Sequence, residues 1–166
     1  MELPERKNVR LQDYDYSSGG AYFITLCTQN KKCLFEIENN IVGNDLRVVP
    51  YLQNRIIHKW IKQTENKFDN IKIDKYVIMP NHLHLIVVIT ERHAGRSLPS
   101  IMQFFKTMTT NEYISNVKNG NLPPFDKKLW QKTYYDHIIR DQNDYLQIWQ
   151  YIDTNPAKWQ EDKYYK

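Results

Sequence analysis

Residues 71–89 read IKIDKYVIMPNHLHLIVVI, and this stretch predicts two strands that meet at a Pro-Asn break. The apolar side chains of residues 71–79, and the almost wholly apolar run from residue 83 onward, favour extended structure. Two short apolar strands on either side of two turn residues are typical of a β-hairpin, although Pro80-Asn81 lacks the usual glycine. The stretch therefore predicts two neighbouring antiparallel strands.

Further strands are predicted on both sides of this hairpin. Residues 21–28 are rich in β-branched and aromatic side chains and predict a strand that precedes it, whereas residues 134–140 predict one that follows it. Residues 34–37 are apolar enough to suggest a short additional ribbon strand. Residues 1–20 are polar and end in Ser-Ser-Gly-Gly, which predicts an N-terminal arm followed by a turn.

Three helices are predicted from apolar spacing. The first covers roughly residues 49–66, and the second carries apolar residues over 101–108 with Ser97 as a plausible cap. The last helix begins near Asp141, a good N-cap residue, and Pro156 stops or kinks it.

The predicted order starts as strand, helix, strand, strand, helix, strand, which is the split βαβ arrangement of ferredoxin-like domains. We therefore expect an α+β fold in which a four-stranded antiparallel sheet carries two helices on one face. The opposite face is left for a ligand or for the C-terminal helix. No repeat or domain boundary interrupts the chain, so residues 1–166 are expected to form a single domain.

Composition narrows the class of protein without deciding its function. The chain has 166 residues, a formal charge of +4 and a pI near 8.9, which is compatible with binding phosphate backbones. A hydrophobic content of 41% argues against disorder. No apolar run is long enough to span a membrane, so a cytoplasmic protein is expected. Cys27 and Cys33 match no zinc spacing and form no disulfide framework.

The sharpest chemical feature is the His82-Leu83-His84 pattern on the predicted strand. Alternate side chains of a strand share a face, so the two imidazoles lie on the same side, about 7 Å apart along the strand. Imidazole is a common ligand of divalent metals, and the pair predicts part of a metal site. Two solvent-touching histidines at a strand end are the simpler alternative, and a complete site needs a further ligand.

The last helix can supply the remaining groups. Tyr151 lies beside its apolar stripe, and Asn155, four residues later, projects from the same side. If the stripe packs on the open sheet face, both residues approach His82 and His84. The stripe comprises Tyr145, Ile148, Trp149 and Ile152. The inferred chemistry is attack by Tyr151 on a DNA phosphodiester with the help of a divalent ion. Alternatively, Tyr151 is a packing residue and Asn155 merely ends the helix before Pro156.

Three ordered motifs resemble the REP-associated tyrosine transposases, relatives of the single-tyrosine insertion-sequence transposases. They lie at residues 76–85, which match the HUH strand (U being a hydrophobic residue), and at residues 130–141 and 144–156. Residues 105–107 also fit the second helix of that family. The resemblance covers the chain from about residue 20 to its end.

The resemblance implies specific roles. His82 and His84 would be the metal pair for Mg²⁺ or Mn²⁺, Tyr151 the catalytic tyrosine, and Asn155 the third ligand. The activity implied is cleavage of single-stranded DNA next to a hairpin or palindromic repeat, through a 5′-phosphotyrosine link. Relatives act as monomers or homodimers. Candidate phosphate contacts, from residue type alone, are Lys106, Arg140 and Lys158. His137 is either structural or a phosphate contact.

Three other functions remain compatible with the sequence. A domesticated DNA- or RNA-binding protein on this scaffold would bind hairpins without forming a covalent product. A hydrolase using His82, His84 and an activated water would cleave DNA without a protein–DNA adduct. A purely structural module would use the histidines for neither purpose.

Overall fold

The computed structural model describes residues 19–37, 51–90 and 97–165. The arm predicted for residues 1–20 lies outside this range except for Gly19 and Gly20, as does the predicted beginning of the first helix at residues 49 and 50. The elements are β1 (Gly20–Cys27), α1 (Leu52–Lys67), β2 (Ile71–Met79), β3 (His82–Ile89), α2 (Leu98–Lys118), β4 (Tyr135–Ile139) and α3 (Gln142–Thr154). Short 3₁₀ turns cover Gln29–Lys31 and Asn155–Glu161.

The four strands form one antiparallel sheet in the order β2-β3-β1-β4. Met79 pairs with His82, so Pro80 and Asn81 form the two-residue connection of the β2–β3 hairpin. Strands β1 and β3 are central, and their register places Thr25 opposite His84. The predicted α+β, ferredoxin-like arrangement is confirmed.

The two faces of the sheet are packed differently. Alternate residues of the central strands, such as Ile24 and Leu85, are fully buried in one large core with the apolar sides of α1 and α2. On the opposite face Phe23 and Ile86 pack with Ile152 of α3 in a separate, smaller cluster. The face that was left for a ligand or for the C-terminal helix is thus covered by that helix, next to the predicted site.

The ribbon strand predicted for residues 34–37 is wrong. The backbone N–H groups of Leu34 and Phe35 both donate to the carbonyl of Pro80, at 2.9 and 3.0 Å, instead of forming a ladder. The Asn54 side chain donates to the Glu36 carbonyl at 2.8 Å and accepts from its N–H. The backbone groups of this segment are therefore satisfied by a turn and by a helix side chain, which apolar content alone does not reveal.

The helix termini agree with expectation in part. Asp141 caps α3 and accepts from the backbone N–H of Asp144 at 2.9 Å. Ser97 occupies the N-cap position of α2, but its side chain makes no capping hydrogen bond.

Strand β4 begins at Tyr135, one residue later than predicted, because Tyr134 turns into the large core. In the described part of the chain, no helix is long and apolar enough to cross a membrane.

Candidate active site

Strand β3 places His82 and His84 on the face covered by α3, as alternation predicts. Their Nε2 atoms are 3.0 Å apart, and the two residues are 0% and 1% exposed. The rings meet at 70° with centroids 4.5 Å apart. Two imidazole nitrogens therefore converge on one buried point, which is the arrangement that a shared cation requires.

Hydrogen bonds outside the pair determine which nitrogens face each other. Asn81 donates its amide N–H to the Tyr164 carbonyl at 2.8 Å, so its Oδ1 faces His82 Nδ1, also at 2.8 Å. Because an amide oxygen only accepts, Nδ1 of His82 carries the proton and Nε2 keeps its lone pair. Thr25 Oγ1 lies 2.8 Å from His84 Nδ1 and can donate or accept. His84 can therefore carry its proton on Nε2 and donate it to His82. Alternatively, it carries the proton on Nδ1 and presents a second Nε2 lone pair, which is the form that binds a metal.

Burial keeps both imidazoles neutral. It lowers the pKa of His82 to about 4, and burial together with the neighbouring His82 lowers the pKa of His84 well below 6.5. Neutral imidazole is the form that binds metal. At neutral pH both rings are already uncharged. An ion can therefore bind without first displacing a proton from a charged imidazolium.

The depressed pKa values predict acid sensitivity of the metal-free protein. Below pH 6.5 unfolded histidines take up protons that the buried pair does not, so stability falls as the pH decreases from 6.5 toward 4. Each histidine contributes up to about 1.4 kcal/mol per pH unit. Denaturant unfolding at pH 7, 6 and 5 with chelator present measures this slope. His82→Gln should flatten it, and equal wild-type stability at pH 7 and 5 would contradict neutral burial of the pair.

Tyr151 projects from α3 toward the histidines. Its hydroxyl oxygen lies 3.4 Å from His84 Nε2 and 3.4 Å from Asp162 Oδ2. Phe23 stacks on the His84 ring and meets the Tyr151 ring edge-on, so it packs against both rings where they contact each other. The side chain of Tyr151 is half-buried, and burial followed by the charge of Asp162 raises its pKa to about 12. The phenol is therefore protonated at neutral pH, yet it is reachable from solvent.

Asn155 keeps helical backbone angles (φ −57°, ψ −43°) although Pro156 follows it. The expectation that a residue before proline leaves the helical region is wrong here, because the chain tightens into the Asn155–Glu161 3₁₀ turns and does not become extended. Asn155 therefore lies beside Tyr151, as i and i+4 spacing predicts. It is 4% exposed, its Nδ2 donates to Asp162 Oδ2 at 3.0 Å, and its Oδ1 is buried without a hydrogen-bond partner.

Asp162 is a site residue that the sequence did not indicate. It follows the 3₁₀ turns, and its side chain is only 2% exposed. Its Oδ2 is 3.9 Å from His82 Nε2, and potential ligand atoms of His82, His84 and Asp162 all lie within 4.8 Å of one another. Helical periodicity ends before this residue, so spacing gave no signal.

A cavity of about 640 Å³ opens beside Tyr151 and gives access to the site. Lys158 and Lys163 line it and provide positive charge. His137 also lines it, but Nε2 of His137 is bound to the Asp144 carboxylate at 2.9 Å. Because Asp144, Glu161 and Asp162 also line it, the cavity is an entrance of mixed charge to a buried group of potential metal ligands.

Two of the three predicted phosphate contacts lie away from this entrance. Lys106 is on α2, where it lines a second cavity, and its Nζ donates to the carbonyls of Gln131 and Lys132 at 2.6 and 2.9 Å. Arg140 follows β4 and does not line the cavity beside Tyr151. Of the three, Lys158 alone is brought to the candidate site.

Comparison with known proteins identifies the family of this chain. The family described as "Transposase IS200 like" matches residues 20–155. An uncharacterised protein of Haemophilus influenzae is 37% identical over 98% of this chain and 94% of its own length. The REP-associated tyrosine transposase of Escherichia coli K12 is 25% identical over 86% of this chain and 70% of its own length.

Solved structures share the fold. A REP-associated tyrosine transposase bound to a REP hairpin superposes with a TM-score of 0.59 at 21% identity, covering 93% of this chain and 76% of that one. The family match spans both histidines of β3, Tyr151 of α3 and Asn155. The chain therefore belongs to the IS200-like transposases and is similar to their REP-associated tyrosine members.

Proposed function

We propose that this transposase cleaves and rejoins single-stranded DNA through a covalent link to Tyr151, with a divalent metal ion at the histidine pair. The observation that carries the proposal is the distance of 3.4 Å between the Tyr151 hydroxyl and His84 Nε2. A nucleophile of suitable type and two convergent imidazoles thus meet at the end of one cavity, whose lining includes two lysines.

The residues present fit Mg²⁺ or Mn²⁺. His82 and His84 would hold the ion through Nε2, and an oxygen of Asn155 or Asp162 would add a hard ligand. When bound, the ion polarises the scissile phosphate and stabilises negative charge that develops on its oxygens. Asn81 and Thr25 would orient the two rings through their Nδ1 atoms.

The covalent step is a displacement at phosphorus. A bond forms between Oη of Tyr151 and the phosphorus atom, and the bond from phosphorus to the 3′-oxygen breaks. Tyr151 loses one proton and the leaving 3′-oxygen gains one, so protons balance overall. The products are a 5′-phosphotyrosine and a free 3′-hydroxyl, and attack by a 3′-hydroxyl in reverse rejoins the strand. Phe23 restrains the phenol against the His84 ring, which keeps it aimed at one point.

The proposed substrate is single-stranded DNA next to a hairpin or repeat, in the cytoplasm. The solved structure of a REP-associated tyrosine transposase that shares this fold contains a bound REP hairpin, which supports a hairpin partner for this chain. Lys158 and Lys163 would contact phosphates at the entrance, whereas Arg140 and Lys106 would contact DNA farther from the cleavage point.

Lys158→Ala should weaken binding of a single-stranded oligonucleotide by a few-fold, because one phosphate contact is lost. The slope of log affinity against log salt should become less steep by about 0.7. Fluorescence anisotropy at several salt concentrations measures both effects. Lys62→Ala, an exposed lysine on α1, is the matched control and should bind as the wild type does. An unchanged salt slope in Lys158→Ala would remove this lysine from the DNA path.

The proposal is tested by incubating the protein with Mn²⁺ and a panel of single-stranded oligonucleotides that contain hairpins, followed by a denaturing gel. We expect a protein–DNA band that chelator prevents and that peptide mapping assigns to Tyr151. Cleavage without such a band would show hydrolysis by an activated water instead. Binding of the panel without either product would favour a hairpin-binding protein that does not cleave.

A further inference from the structure

We infer that a second cavity holds a single-stranded segment of the substrate on the side of the sheet opposite Tyr151. This α2 cavity has a volume of about 640 Å³ and is lined by helix α2 and by residues between 125 and 134. Helix α2 packs in the large core, whereas α3 lies on the other face of the sheet. The inference rests on the proposed function in one respect, namely that the protein binds single-stranded DNA.

The charged side chains that line the α2 cavity are all positive. Its lining contains four lysines, and among the described residues no carboxylate lines it. The lysines are Lys106, Lys127, Lys128 and Lys132. The entrance to Tyr151, in contrast, combines two lysines with three carboxylates. The charge of the α2 cavity therefore favours phosphate groups more than the charge of the catalytic entrance does.

Half-buried apolar side chains accompany these lysines. Ile114 and Phe125 line the same cavity and leave part of their surface exposed. A single strand presents unstacked bases that pack on such side chains while its phosphates contact lysines. A duplex keeps the faces of its bases inside the stack. The combination of apolar and cationic groups therefore favours a single strand over a hairpin stem.

The segment that carries three of the lysines is held firmly in place. Lys106 donates through Nζ to the carbonyls of Gln131 and Lys132 at 2.6 and 2.9 Å. The indole N–H of Trp130 donates to Thr109 Oγ1 at 2.9 Å. Two backbone hydrogen bonds of 2.9 Å also join this segment to the end of β1 and to the turn that follows it. Lysines on a fixed segment lose less freedom on binding than lysines on a mobile loop.

The two cavities lie on either side of one sheet edge. Strand β4 is an outer strand of the sheet, and Tyr134 and Tyr135 are consecutive residues at its beginning. Tyr134 lines the α2 cavity, and Tyr135 lines the cavity beside Tyr151. A strand of a few nucleotides that passes around the start of β4 therefore reaches both cavities. The α2 cavity thereby helps to set which phosphodiester arrives at the nucleophile.

Binding of single-stranded oligonucleotides, measured by fluorescence anisotropy with chelator present, tests the inference without metal or cleavage. We expect the double variant Lys128→Gln/Lys132→Gln to bind about 10-fold more weakly than the wild type. Its slope of log affinity against log salt should be less steep by about 1.4, because two phosphate contacts are lost. The matched control is Lys62→Gln/Lys118→Gln, which removes the same charge from exposed lysines of α1 and α2 that do not line the cavity. The control should bind as the wild type does.

Thermal unfolding verifies that both double variants are folded, and each other outcome of the titrations has a distinct meaning. Wild-type affinity and salt slope in Lys128→Gln/Lys132→Gln would overturn the inference. An equal loss in the control would show general charge attraction and would overturn it as well. A loss for a hairpin duplex without a loss for a single strand would assign the cavity to a stem instead. Absence of binding of any oligonucleotide to the wild type would refute the proposed function itself.

Discussion

Replacing Tyr151 by phenylalanine should reduce DNA cleavage to background, a loss of at least about 10³-fold. The substitution removes one oxygen, the proposed nucleophile, and leaves the ring that packs edge-on against Phe23. Binding of a hairpin oligonucleotide should stay within a few-fold of the wild type, since the two lysines of the entrance are unchanged. A denaturing gel for the covalent band and an anisotropy titration measure the two effects on the same preparation.

The matched control is Tyr135→Phe. Tyr135 lines the same cavity and is 44% exposed, so it is the other tyrosine hydroxyl that DNA in this cavity would reach. Tyr135→Phe should form the covalent band at close to the wild-type rate. A covalent band that persists in Tyr151→Phe and disappears in Tyr135→Phe would transfer the nucleophile to β4. Persistence in both variants would refute a tyrosine nucleophile at this cavity.

His84→Ala should reduce cleavage by at least about 10²-fold, because the metal loses one of two imidazole ligands. Tyr151 would also lose the ring that Phe23 holds against it. The rate of appearance of the cleaved strand at saturating oligonucleotide measures the loss, and chelator should produce a similar loss in the wild type. Adding chelator to His84→Ala should then have little further effect, because both treatments act on the same ion.

His58→Ala serves as the control for removal of a histidine. His58 lies on α1 and bonds through Nδ1 to the Tyr76 hydroxyl at 2.8 Å, outside the candidate site. Its removal should leave cleavage close to the wild-type rate at a temperature where the variant is folded. If His84→Ala cleaves as fast as His58→Ala, the histidine pair is structural and the ion, if needed, binds elsewhere.

The periodicity of the sequence was enough to predict the positions of those site residues that lie on a regular strand or helix. The period of two on β3 predicted that His82 and His84 share a face, and their nitrogens do converge. Helical spacing predicted that Tyr151 and Asn155 lie together, and the helix does cover the expected sheet face. These relations hold because alternation on a strand and the turn of a helix are properties of the backbone itself.

Sequence reasoning failed where position depends on long-range packing. Asp162 follows a change from α-helix to 3₁₀ turns, and its place near His82 depends on how this C-terminal segment packs against β3 through Trp159 and Tyr164. Lys106 is on α2, which packs on the other side of the sheet, so its ammonium lies away from the candidate site and donates to backbone carbonyls. Neither outcome follows from spacing along the chain.

The two faces of the sheet hold their helices with unequal strength, and the helix that carries Tyr151 is the more weakly held. Helices α1 and α2 share a large apolar core with the sheet, whereas α3 is attached through a small cluster around Phe23, Ile86 and Ile152. Lys75, which bonds to Asp153 and lies over the Trp149 ring, adds a contact at the surface. Detaching α3 therefore costs much less than unfolding the sheet. We therefore expect α3, with its nucleophile, to detach from the imidazoles and return more often than the sheet unfolds.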